Sequence, residues 1–338
     1  MDEKNLGKGA VRDIEDQRDR YYEEVVAGAA PMSEDDWKKG FDIEKKLNFK
    51  LPIKNQFGSS SCVGQAFSYY VAILNMVETG KYDEASAKAI YSQIFLPQGG
   101  AMFRDAAKLV VNWGALFEKI LKSYKEDGTT DETFMRDMSW ITPETAQMAK
   151  ILEAKEYRTI AGITMDIFAM AIRDNFGIVA GVEGANNGTW FSGEPKPPAI
   201  DTPQNALWGH ALYFGKYGVD ELGKFIATPN SWGTRNPDAL HPDGWQKLRE
   251  DWFANMGRFL FSPWTLIDKS NLTINQINMV MIQLQGSPAI YLPAGDVLIP
   301  FTNWDAYKAD FASAKIVILS PAEFAKYRVA TANIIKPK

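Results

Sequence analysis

One cysteine and two histidines are all that the 338-residue chain has of these residue types. A single cysteine excludes an intrachain disulfide, which fits a reducing compartment or a virion better than a disulfide-forming compartment. So few Cys and His residues cannot form a cluster with metal-ligand spacing, and neither a metal nor another cofactor is expected. No Gly-rich loop of the nucleotide-binding kinds is present. Basic residues are outnumbered, 37 Lys and Arg against 42 Asp and Glu, and no Lys/Arg stripe stands out, so nucleic acid is not an expected partner. The start Met1-Asp2-Glu3-Lys4 leads into charged residues instead of an apolar run, so no signal peptide is read there. Two long charge-free stretches, residues 55–77 and 270–295, are broken by Ser, Asn, Gln or Pro and make poor membrane spans.

What remains is an ordinary globular composition, 46% apolar and 23% charged, with length enough for two domains. The lone cysteine lies in Gly58-Ser59-Ser60-Ser61-Cys62-Val63-Gly64-Gln65. From there Val63, Ala66, Phe67, Tyr70, Val71, Leu74 and Val77 recur at helical spacing, with Gly80 as a stop signal. Cys62 is therefore expected in the first turn of a helix, where free N–H groups and the helix dipole favour thiolate. A lone cysteine also reads as a small buried hydrophobe. Two downstream stretches favour the nucleophile: Trp208-Gly209-His210-Ala211-Leu212, and Pro229-Asn230-Ser231-Trp232-Gly233-Thr234. His210 and Asn230 follow Cys62 by 148 and 168 residues.

These three stretches, with Gln56 ahead of Cys62, resemble the catalytic motifs of papain-like cysteine peptidases in order and rough spacing. The resemblance covers roughly residues 41–265. It implies an α+β, two-lobed fold, with a helical lobe carrying Cys62 and an antiparallel β lobe carrying His210 and Asn230. It implies a cysteine endopeptidase in which Cys62 attacks the peptide carbonyl and His210 takes and returns the proton, with Asn230 orienting the imidazole. Gln56 and the Cys62 N–H would form the oxyanion hole, Trp232 would shield the His–Asn contact, and Gly99-Gly100 would form the rim that binds substrate backbone. A His-paired cysteine of this family titrates near 3–4 against about 8.5 for a free thiol. That preference of roughly 6 kcal/mol exceeds what a helix end supplies, so His210 is expected to be the main activator. The chain departs from the family pattern at Ser59, where a disulfide cysteine is usual, at Val63 after the nucleophile, and at Gly209, where Asp or Asn is common.

Three segments are expected: an N-terminal arm or leader over 1–40, the peptidase domain over 41–268, and a small C-terminal α/β module over 269–338. The arm reads either as a solvated arm or surface helix, or as a pro-segment; the spaced Glu/Arg/Phe/Asn pattern of the usual inhibitory pro-helix is absent. Residues 9–19 look like the short leader of some bacterial and phage relatives. The C-terminal module is expected to hold a helix-like stretch over 272–284, a hairpin over 289–300, a helix over 305–311, a strand over 315–319 and a short helix from Pro321. Its role is docking, oligomerisation or mere packing. His241 lies in a turn-rich stretch and reads as a surface residue. Polypeptide is the expected substrate. Two other classes stay open: a virion-associated scaffold built on the same fold, and another Cys–His enzyme such as a cell-wall amidase or transglutaminase.

Overall fold

The computed structural model describes residues 8–24, 26, 31–192, 194–233, 244–267, 280–294, 297–300, 315–326 and 328–329. Its centre is the helix Cys62–Thr79, which carries no charge before Glu78 and is buried on every face from Cys62 to Met76. A helix apolar all round has to be enclosed, and this one is. It stops at Gly80, which takes the left-handed conformation at φ 72° and returns its N–H to Met76 O. The helices Ala87–Ile94 and Phe103–Asn112 pack against it.

On its other side lies a four-stranded antiparallel sheet in the order Glu156–Thr159, Leu260–Ile267, Ile178–Ala185, Leu207–Phe214. A second four-stranded antiparallel sheet runs Phe41–Asp42, Lys216–Asp220, Gly223–Pro229, Trp245–Arg249. One hydrophobic core gathers around the central helix, with Phe67, Tyr70, Tyr91, Phe103 and Trp264. The other lies between the sheets and the helix Met165–Asn175, with Phe168, Trp190, Trp232 and Trp252. The helical half thus meets the sheet half along the strand Leu207–Phe214, which carries His210.

Three expectations change. The run 209–217 is two strands in two sheets, because the chain turns at Gly215, whose N–H bonds to Ala227 O. The expected helix over 272–284 is a strand where it is described: Val280–Leu284 pairs parallel with Lys315–Leu319. Its Val and Ile suit a pleated surface beside the β-branched Ile316, Val317 and Ile318, and that partner outweighs the Asn/Gln content. Finally, residues 8–24 are neither a free arm nor a long helix: apart from the short strand Ala10–Val11 and one turn at Tyr22–Glu24 the stretch is irregular, and it is docked on the body of the protein. The hairpin appears as Ile290–Ala294 against Val297–Pro300, in a five-stranded mixed sheet. The helix expected over 305–311 and His241 lie outside the described residues. Among the described residues no helix is long and apolar enough to cross a membrane.

Candidate active site

Cys62 opens its helix at the first position after Ser61, and its side chain is fully buried. The sulfur lies against the backbone N–H groups of Ala211, Val63 and Gly9. Ala211 follows His210 directly, so the Cys62 helix and the His210 strand meet at this point. His210 is also fully buried. Its Nε2 lies 2.9 Å from Asn230 Oδ1, and its ring stacks on Trp232 at 4.3 Å with an interplanar angle of 23°. Its Nδ1 has no hydrogen-bond partner among the described residues, so no Cys62–His210 hydrogen bond is formed in this state.

Gln56 is tied to the Asn230 segment and to the loop before Cys62. Its N–H donates to Ser231 O at 2.8 Å, Ser231 Oγ donates to its Oε1 at 2.6 Å, and its Nε2 donates to Ser59 O at 2.9 Å. These bonds hold the amide at the foot of the Cys62 helix. Gly99 and Gly100, expected to form the rim, both have positive φ, 98° and 78°. The Gly100 N–H donates to Tyr91 Oη at 3.1 Å. Tyr91 Oη donates in turn to Glu132, and the other Glu132 oxygen accepts from Ser60 N–H, both at 2.6 Å. One carboxylate thus links the Gly100 backbone to the loop before Cys62, near Ser59. Sequence reasoning missed Glu132 and Tyr91; nothing in their local sequence sets them apart from surface and core residues.

The larger omission is the occupant of the cleft. Ala10–Val11 pairs parallel with the rim strand Ala101–Met102, Gly9 N–H donates to Gly209 O at 3.1 Å, and Gly9 O accepts from Ala101 N–H at 2.8 Å. The segment therefore bridges both walls. Glycine makes this passage possible. A Cβ on Gly9 would lie 2.3 Å from Ser60 O, one on Gly100 2.2 Å from Gly9 O, and one on Gly209 2.1 Å from Ala10 O. The departure at Gly209 thus has a steric reason. Further along, Asp13 caps the helix Phe103–Asn112 from outside, accepting from Arg104 N–H at 3.0 Å and from Trp264 Nε1 at 2.7 Å. Met102, at the N-cap position, offers no side-chain cap. Arg12 pairs with Glu183 at 3.0 Å, and Asp19 with Arg104 at 2.9 Å.

This enclosure sets the electrostatics. Burial pushes the Cys62 thiol up to about 12, against the pull of the N–H groups around it. It pushes His210 down to about 3, against the contact with Asn230. Both shifts disfavour charge, so the closed cleft holds a neutral thiol and a neutral imidazole and not the ion pair expected from the motifs. Among the described residues no group of three or more His, Cys, Asp and Glu is placed to hold a metal ion.

The sequence matches no protein-family model and no curated protein. The structure is similar to xylellain, a cysteine protease from Xylella fastidiosa, with a TM-score of 0.60 and 19% identity over 79% of this chain and 97% of that one. It is similar to procathepsin B S9 from Trypanosoma congolense at a TM-score of 0.56 and 13% identity, over 78% of this chain and 87% of that one. The ragweed pollen allergen Amb a 11, a cysteine protease solved in its proform, matches at 0.54 and 18% identity over 72% of this chain and 68% of its own. The helical half, the antiparallel half and the junction between them are those of the papain-like cysteine protease fold.

Proposed function

We propose that the protein is a cysteine endopeptidase kept latent by its own N-terminal segment. The observation that carries this reading is the His210–Asn230 contact: an imidazole held by Nε2 keeps Nδ1 unpartnered, beside the strand and helix junction where Cys62 sits. Once the segment leaves and water enters, the desolvation that holds the pair neutral is relieved. His210 Nδ1 then takes the Cys62 proton, and the thiolate sulfur attacks the substrate carbonyl carbon. The oxyanion formed there accepts from the Cys62 N–H and from the Gln56 side-chain amide, the two donors expected from the motifs. The imidazolium returns its proton to the leaving amine, and a thioester remains on Cys62. Water, deprotonated by His210, completes hydrolysis and restores the thiol.

Latency rests on how the segment lies. Beside the sulfur its Gly9 N–H donates to Gly209 O and its Gly9 carbonyl is engaged by Ala101, so both walls hold it. Similarity to proteins solved as proforms supports the same reading. The test is cleavage of a peptide library by the full chain, by the chain lacking residues 1–24, and by the latter with Cys62→Ala. Cleavage only by the shortened chain with Cys62 intact is the expected result. A folded, shortened chain that cleaves nothing would leave a scaffold built on this fold.

A further inference from the structure

Asn230 has a second partner that the reading above does not use. Gln246 stands on the strand Trp245–Arg249, opposite Thr228 in the register with Gly223–Pro229. Its Nε2 donates to the backbone carbonyl of Trp190 at 2.7 Å. A backbone carbonyl only accepts, so this contact decides which end of the Gln246 amide faces it. The other end, Oε1, is left for Asn230, whose Nδ2 donates to it at 2.7 Å. Asn230 must then turn Oδ1 toward His210. An acceptor at 2.9 Å requires the proton on Nε2 and leaves the lone pair on Nδ1. We propose that Gln246 is a positioning residue that selects the Nε2–H tautomer of His210 through Asn230, keeping Nδ1 free to receive the Cys62 proton.

Asn230 alone does not make this choice. Its two amide ends are nearly the same size, and a half-turn would present Nδ2–H to His210. The imidazole would then have to carry its proton on Nδ1, where the Cys62 proton has to go. In the wild-type site that half-turn also sets Asn230 Oδ1 against Gln246 Oε1, oxygen against oxygen. Asn230 is 5% exposed, so water does not readily supply the missing partner. Stacking of Trp232 on the ring holds its plane but does not distinguish its nitrogens.

The role of Nδ1 toward Cys62 rests on the peptidase reading; the tautomer does not, and it is measured separately. With only two histidines in the chain, 15N-labelling of histidine gives two ring systems, and His210→Ala assigns them. At neutral pH the buried His210 ring is uncharged, so its tautomer is directly readable. The full chain is expected to show the Nε2–H form. In Gln246→Leu the two Asn230 orientations lose their difference, and about half of His210 should move to the Nδ1–H form. Gln246→Glu, which still accepts from Asn230 Nδ2, should restore the Nε2–H form. Gln246→Met serves in the same way if the leucine variant does not fold. A folded Leu or Met variant with the wild-type tautomer, or an Nδ1–H form in the wild type, overturns the proposal. Absence of peptide cleavage by the shortened chain, with these spectra as expected, sinks the peptidase reading alone.

Discussion

Cys62 and His210 are moved in opposite directions by one cause, burial away from water, at the place where Gly9 threads between the two walls. The residue fits because it has no side chain: a Cβ would sit 2.3 Å from the Ser60 carbonyl, which belongs to the backbone and cannot swing aside. Gly9→Val should therefore expel the segment without touching a reacting group. Alkylation of Cys62 by iodoacetamide at pH 7 is expected to rise by at least about tenfold over the full wild-type chain, equivalent to roughly 1.4 kcal/mol of lost docking. In the opened variant the reaction should persist below pH 7, and His210→Ala added to it should return the thiol to ordinary behaviour. An alkylation rate unchanged by Gly9→Val, in protein that folds, would show that the segment does not limit access to the sulfur.

Among the elements, the helix Phe103–Asn112 shows how the segment is anchored, since its cap comes from Asp13 and not from its own N-cap residue. Burial raises the Asp13 carboxyl above its ordinary value, against the pull of the Arg104 N–H and the Trp264 indole. A carboxyl raised on docking binds more protons docked than free. Its contribution is full below the free value of 3.8 and falls as pH rises through the docked value. Acid should thus tighten the segment through this group. Asp13→Asn keeps the shape and removes the titration, so the ratio of Cys62 alkylation rates, variant over wild type, should grow as pH falls from 7 toward 4. A ratio flat with pH would remove Asp13 from the latch. The Cys62 helix was legible in the sequence because its apolar residues recur at helical spacing and Gly80 after Thr79 marks its end. His210, Asn230 and Trp232 stood out because their motifs follow Cys62 in order and at a recognisable spacing; in the fold His210 lies on Leu207–Phe214 and Asn230 directly after Gly223–Pro229. The segment was legible as a leader by resemblance, but where it docks was not. It is a two-residue strand with no periodicity, and its meaning lies in glycines far apart in sequence, Gly9, Gly100 and Gly209, that face one another only in the folded chain.

The whole molecule has to hold a helix from one half against a strand from the other, and one hydroxyl does much of this. Tyr70, on the Cys62 helix and fully buried, lies with its Oη 2.6 Å from Gly177 O and 2.9 Å from Asn175 O, and accepts from Leu266 N–H at 3.2 Å. Thr265 Oγ1 is within 2.9 Å. These partners follow the helix Met165–Asn175 and line the strand Leu260–Ile267, so the bonds cross from the helical half into the sheet half. Tyr213, on the His210 strand, donates to Phe176 O beside them. Removing the Tyr70 hydroxyl leaves buried carbonyls and an N–H with fewer partners, at a cost of about 1–3 kcal/mol. Tyr70→Phe should therefore lower the thermal midpoint by about 2–4 °C for each kcal/mol. Because the pin joins the two halves that carry Cys62 and His210, the shortened chain with this substitution should also lose part of its kcat below its unfolding temperature, with little change in KM. A midpoint equal to that of the wild type would mean that the halves are held by apolar packing alone. A lowered midpoint with an unchanged kcat would mean that the pin supports the fold without setting the distance from sulfur to imidazole.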